Sequence, residues 1–257
     1  MSRYFWMFGF SLCLSLSSAQ ATVFDVTIDG SDAIWLAGRT DLIIPPANLP
    51  WPGGLLRHGG PTPEEIQETL PPALPVAGGD IVKVLDPAVG GISFFNGFGP
   101  PFYGPQGNGV PGSSSIGSYG GISGYLGTQG ALVGVFLDDS IPNGVAPTTL
   151  DFSLSGLGVD FLSLSPDLNQ IFFIGDGVTA GNSFQEFVAP AGATRVFLGI
   201  TDAFGFNGPP GAFDDNNGSY RIRVGINEEP TIPEPSILVL LAFGLLPLAQ
   251  RRLSSAH

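Results

Sequence analysis

The chain carries 38 glycines and 24 prolines, and they cut it into apolar runs too short for ordinary helices. Residues 23–28, 81–85, 131–137, 170–174, 194–200 and 220–226 are rich in Val, Ile, Leu and Phe and are bounded by turn formers, which predicts strands joined by loops. Several runs alternate in the two-residue period of a sheet with one buried face. In Tyr220-Arg221-Ile222-Arg223-Val224 the two arginines are expected to face solvent. One helix is predicted, over residues 62–70, with Thr62 as N-cap, Pro63 as first helical residue, Glu65 closing a capping box and Pro71-Pro72 as the stop. Residues 97–124, rich in Gly, Ser and Pro, read as a long surface excursion, and no internal repeat or linker divides the chain.

The two ends read as addresses. Arg3, an apolar stretch over residues 4–16 and Ala19-Gln20-Ala21 form the three regions of a secretory signal peptide, residues 1–21, with the mature chain starting at Thr22. At the other end stand Pro233-Glu234-Pro235, thirteen apolar or small residues from 237 to 249, and Arg251-Arg252. Thirteen residues make about 20 Å of helix, short of the ~20 residues that cross a bilayer unaided, and Pro247 weakens that helix. The arginines hold such a segment with its C-terminus at the cytoplasmic face. The tail, residues 231–257, resembles the PEP-CTERM sorting signal of Gram-negative bacteria. That resemblance implies an exosortase-type membrane protease as partner, transient anchoring in the inner membrane by a hydrophobic sorting helix, and delivery to the cell surface, outer membrane or extracellular matrix. A C-terminal membrane anchor that stays in place is the alternative.

Between the ends, residues 22–230 suit one sizeable domain. Cys13 is the only cysteine and falls in the signal peptide, so disulfides and thiolate chemistry are excluded for the mature form. Removing Arg3, Arg251 and Arg252 leaves six basic residues of nine, while all 22 acidic residues lie beyond the signal peptide. Such a surface repels nucleic acid and anionic headgroups and suits cations and neutral glycans.

Catalytic groupings are thin, and no enzyme is expected. His58 sits in a Gly/Pro-flanked stretch with no serine to activate, and no Gly-x-Ser-x-Gly elbow occurs. Gly107-Asn108-Gly109-Val110-Pro111-Gly112 has the spacing of a dinucleotide fingerprint, but the surrounding prolines make it a loop. Asp138-Asp139 and Glu228-Glu229 are adjacent carboxylates, which in a strand point to opposite faces and read as turn or linker charges.

One segment gathers hard oxygen ligands. Asp202 is followed by Ala212-Phe213-Asp214-Asp215-Asn216-Asn217-Gly218, between two predicted strands. An Asp/Asn-dense turn without His or Cys suits Ca²⁺, although the same residues also build ordinary turns. Gly79-Asp80-Ile81-Val82, Tyr103-Gly104-Pro105-Gln106-Gly107, Gly130-Ala131-Leu132-Val133, Ile174-Gly175, Val188-Ala189-Pro190 and residues 210–220 follow one another here. In that order they are similar to the calcium-dependent galactophilic (LecA-like) lectins of bacteria. The resemblance implies an all-β, single β-sandwich of jelly-roll, galactose-binding-like character with long Gly/Pro-rich loops. It implies a Ca²⁺ site made by Asp202, the carbonyl of Ala212, the side chains of Asp215 and Asn216, and the carbonyl of Phe95. Phe204 or Phe206 would then cover the apolar face of a sugar ring. The chain departs from the lectins in three places: Phe204 to Pro209 are inserted after Asp202, a long stretch is added between Gly134 and Ile174, and residues 108–115 hold no counterpart of the sugar-contacting His and Gln. Galactose specificity is therefore not inherited. The expected activity is Ca²⁺-dependent binding of carbohydrate, the cell's own exopolysaccharide being the suggested glycan. The alternative is a non-catalytic matrix or biofilm protein whose Ca²⁺ only stiffens the fold.

Overall fold

The structure, a computed structural model, describes residues 21–47, 49–52, 56, 67–95 and 100–230. Residues 1–20 of the signal peptide, the sorting tail, His58 and residues 62–66 of the expected helix lie outside the described residues. The strands are β1 (Thr22–Asp29), β2 (Ala73–Pro75), β3 (Ile81–Ser93), β4 (Ser114–Ile116), β5 (Tyr125–Gly127), β6 (Leu132–Leu137), β7 (Ser163–Leu164), β8 (Ile171–Phe173), β9 (Glu186–Val188), β10 (Arg195–Ile200), β11 (Asn207–Gly208) and β12 (Asn217–Ile226). They form sheets of order β1-β12-β3-β9-β7 and β2-β10-β6-β8, with a small third sheet, β11-β4-β5. The fold is all-β.

The two larger sheets share one core. Every residue of β6 is buried, and Phe172 of β8 meets Phe187 of β9 across the sheets at 5.0 Å between ring centres, while Phe136 of β6 stacks on Phe172 at 5.0 Å. A run from Ala33 to Ala37 is fully buried, and the Trp35 indole N–H donates to Ser123 O at 3.0 Å, so burying the ring leaves no unpaired donor. In β12 the predicted alternation holds: Tyr220, Ile222 and Val224 are buried while Arg221 and Arg223 face solvent.

Three sequence expectations change. Residues 67–70 are extended rather than helical: Thr69 bridges to Asp32, its hydroxyl donates to Asp32 Oδ1 at 2.6 Å, and the buried Glu68 accepts the Trp51 indole N–H at 3.1 Å. Tertiary pairing outweighs the weak local preference for helix. Residues 100–124 are more than a surface excursion, because Ile116 and Ile122 are buried and β4 belongs to the third sheet. Strand β3 runs on past Leu85, with Pro87 accommodated where the register against β12 shifts, as prolines within sheets require. The Gly107 to Gly112 segment is a loop, as expected. A Cβ on Gly107, at φ +71°, would lie 2.2 Å from Gln129 O, so the close approach to the start of β6 needs glycine.

Candidate metal and ligand cleft

Strands β10 and β12 belong to different sheets, and the chain between them, residues 201–216, supplies most of the cleft. Asp202 leaves the end of β10 and Asn216 immediately precedes β12. Asn216 is held from behind: its Nδ2 donates to Gly30 O at 3.0 Å, and its Cβ faces Gly30 so closely that an added methyl there would sit 3.0 Å away. Gly218, at φ +101°, lets β12 approach β3, since a Cβ would lie 2.1 Å from Gly91 O.

The inserted residues do not part Asp202 from Ala212. Phe204–Phe206 form a tight turn in which Gly205 and Phe206 have positive φ, Asn207–Gly208 pair with β4, and Gly211 N donates to Asp202 O at 3.0 Å. That bond closes the neck of the insertion, so Asp202 and Ala212 flank the same space despite the nine residues between them. Asp202, Ala203, Ala212 and Asp215 line an open cleft of ≈ 380 Å³ together with Phe94, Phe95 and the turn at Phe204–Phe206. Four of the five sequence-predicted metal residues, Asp202, Ala212, Asp215 and Phe95, thus share one cleft. The fifth, Asn216, lies against Asp202.

The cleft is electrostatically lopsided. Asp202 is 2% exposed; its Oδ1 accepts the Ala203 N–H at 2.7 Å, and its Oδ2, buried, accepts no hydrogen bond. Burial pushes its carboxyl well above the usual range, the charges of Asp215 and Asp214 push the same way, and the Asn216 amide and Ala203 N–H oppose them. Asn216 Oδ1 is likewise buried without a hydrogen-bond donor. Ala212 is held at φ +71°, a conformation that costs an L-residue about 1–2 kcal/mol. Among the described residues no three His, Cys, Asp or Glu side chains converge in metal-ligating geometry. The side chains gathered here are two carboxylates and one amide, without His or Cys, a mixture that suits Ca²⁺ rather than Zn²⁺.

The aromatic residues divide. Phe206 is 6% exposed, with its ring in edge contact with Phe94 and Phe95 at 5.9 and 6.1 Å, so it supports the wall and offers no open face. Phe204 and Phe95 are 48% and 43% exposed and stand at the rim. Phe94 and Asp214, which the resemblance does not single out, are part of the surroundings: Phe94 lines the wall and Asp214 adds negative charge beside Asp202. Both sit beside named residues, in Phe94-Phe95 and Asp214-Asp215.

The remaining carboxylate pairs are structural. Asp138 lies in the turn after β6 and accepts from Ser140, which holds it below the usual carboxylate range, and Asp139 accepts the Thr194 hydroxyl at 2.7 Å. Glu229 is paired with Lys83. No family model matches this chain, and neither a curated protein nor a solved structure gives a match.

Proposed function

We propose that residues 22–230 form an exported, Ca²⁺-dependent carbohydrate-binding domain, a β-sandwich of jelly-roll character that works at the cell surface or in the extracellular matrix. The observation that carries this reading is the buried Asp202 Oδ2, which accepts no hydrogen bond, beside Asn216 Oδ1 in the same condition and next to Asp215 on an open cleft. Buried oxygens of this kind are costly unless a partner offsets them. The donor set fits a hard cation: Asp202, Asp215, Asn216 and the carbonyls of Ala212 and Phe95 are the groups that would hold it. When bound, Ca²⁺ supplies positive charge to these oxygens and open coordination positions for vicinal hydroxyls. Phe204 and Phe95 at the rim then give an apolar surface against the C–H face of a neutral sugar, and the acidic exterior disfavours polyanions.

The tail completes the reading. Pro233-Glu234-Pro235, the apolar segment and Arg251-Arg252 support processing by an exosortase-type protease after transient anchoring in the inner membrane. Replacing all three of Pro233, Glu234 and Pro235 is expected to leave the tail uncut, which the mass of the exported chain reports. For the binding activity the test is retention of the protein on immobilised exopolysaccharide in millimolar Ca²⁺ and release by chelator. Retention that ignores chelator removes the metal from the mechanism. A Ca²⁺-dependent rise in melting temperature without retention on any glycan leaves a matrix protein stiffened by calcium.

A further inference from the structure

Strand β1 is eight residues long and stands at the edge of its sheet, paired to β12 on one side and to no other strand among the described residues. Edge strands present a row of unpaired N–H and C=O groups, and proteins commonly guard them with proline, lysine, bulges or brevity. β1, Thr-Val-Phe-Asp-Val-Thr-Ile-Asp, carries no proline and no basic residue, and its pairing with β12 runs without a shift from Thr22 to Asp29. The opposite edge of that sheet is the two-residue β7, and the edges of the second sheet are three-residue strands. β1 is therefore the long open edge of the described fold.

We propose that β1 pairs antiparallel with β1 of a second copy, joining two five-stranded sheets into one continuous ten-stranded sheet. The pattern of the strand selects both the partner and the register. Phe24, Val26 and Ile28 face the core side, while Val23, Asp25, Thr27 and Asp29 are exposed. A two-fold axis perpendicular to the sheet keeps those faces matched, and a slip of one residue puts the apolar set into water. Among the face-matched registers, centring on Asp25 sets the two Asp25 carboxylates opposite each other, and centring on Thr27 sets Asp25 opposite Asp29; both juxtapose like charges. Centring on Val26 avoids this: Val26 meets Val26, Phe24 meets Ile28, Asp25 meets Thr27 and Val23 meets Asp29.

The charges on the outer face agree with the same register. Arg221 lies beside Thr27 and Arg223 beside Asp25. Arg223 also pairs loosely with Asp86 at 3.6 Å, whereas Arg221 makes no ion pair among the described residues. In the paired sheet, Asp25 of the second copy lies next to Thr27, two strand spacings from Arg221, about 9.6 Å at ~4.8 Å per strand. A long guanidinium leaning over the short threonine closes that gap, and the two-fold axis repeats the contact.

Disulfide trapping on the full-length chain reads the register directly, with Cys13→Ser removing the native thiol. Opposed residues in an antiparallel pair lie about 4.5–5.5 Å apart at Cα, within the 4.4–6.8 Å that a disulfide spans, and diagonal neighbours lie about 7–8 Å apart. Mixed Asp25→Cys and Thr27→Cys chains are expected to form dimers under mild oxidation several-fold more readily than either variant alone, and Val26→Cys alone is expected to dimerise as readily as the mixture. Adding Arg221→Glu to Val26→Cys should lower the yield several-fold. Asp25, Val26, Thr27 and Arg221 are at least partly exposed, so the variants are expected to fold, and retained melting cooperativity checks this. Equal trapping by the mixture and by the single Asp25→Cys or Thr27→Cys chains, or none by any, overturns the proposal.

Discussion

Of the buried charged side chains, Lys83 and Asp202 are accommodated in opposite ways. Lys83 is 5% exposed, yet its ammonium meets Glu186 at 2.9 Å and Glu229 at 2.7 Å, both on the water-facing side with 38% and 81% of their side chains exposed. Burial alone lowers the affinity of that amine for its proton; the hydrogen bonds it donates to Glu229 and Glu186 outweigh burial and hold its pKa above the usual value. Asp202 is 2% exposed and has Asp215 and Asp214 as its charged neighbours, all of one sign. The chain supplies the counter-charge in the first region. In the second it supplies more of the same charge, and only a proton or a cation balances it. A protein that neutralises one buried charge so completely has no physical need to leave the other unbalanced, which makes the difference a functional signal.

The comparison breaks most directly at Asp215. Millimolar Ca²⁺ at a hundred times its dissociation constant is expected to stabilise the protein by about 2.7 kcal/mol, read as a rise in Tm over the same sample in chelator, and Asp215→Ala is expected to abolish the rise. An unchanged midpoint in the unmodified chain would return residues 212–218 to an ordinary turn. A second substitution separates charge from shape. In chelator, Asp202→Asn should raise stability by about 1–2 kcal/mol near pH 7, since it removes a buried carboxylate with an unsatisfied oxygen and keeps its outline. The sign follows from linkage: the native carboxyl holds its proton above the unfolded value of about 3.9, so the folded state binds more protons and stability falls as pH rises through the native value. Denaturant midpoints from pH 4 to 8 should show that fall in the unmodified chain and a flatter profile in Asp202→Asn. The same variant should lose the calcium response.

Phe204→Ala sharpens the distinction between metal and ligand. The ring is half exposed at the rim, and removing it should weaken glycan retention by about tenfold, the equivalent of roughly 1.4 kcal/mol, while leaving the Ca²⁺-dependent rise in Tm in place. Loss of both together would make Phe204 part of the structural turn rather than of the binding surface.

Much of this contrast was legible in the sequence, and the illegible part has identifiable causes. Six apolar runs became strands because each was bounded by Gly or Pro and rich in β-branched or aromatic residues. The extension of β3 was hidden because Asp86-Pro87 reads as a stop, and only pairing with β12 across a register shift shows that the strand continues. Residues 67–70 resembled the end of a helix because capping residues and period are local, whereas the Thr69 contacts with Asp32 lie 37 residues away. The cleft was readable as a set of oxygens at fixed spacing. Whether the insertion after Asp202 displaced it was not, since that depends on one hydrogen bond from Gly211 closing the neck. The burial of Phe206 beside the exposed Phe204 was equally hidden, because a two-residue spacing in an irregular turn fixes no common face.

The smallest expected effect tests the balanced half of the comparison. In Lys83→Met the two glutamates lose their partner but stand in water, where solvation replaces most of what the ion pair contributes, and the methionine keeps the apolar stem in place. The cost should be under about 1 kcal/mol and should change little from pH 6 to 9, because the lysine stays charged below its usual value of about 10.4. The stabilisation that its raised pKa represents is present below that unfolded lysine value and is lost only as pH rises through the higher native one. The calcium response should be untouched. Urea midpoints for the variant, with and without Ca²⁺, decide the matter: a cost of several kcal/mol would mean that the exposed glutamates depend on Lys83, and the ion pair would then hold the chain at Glu229 against β3 rather than merely neutralise a buried amine.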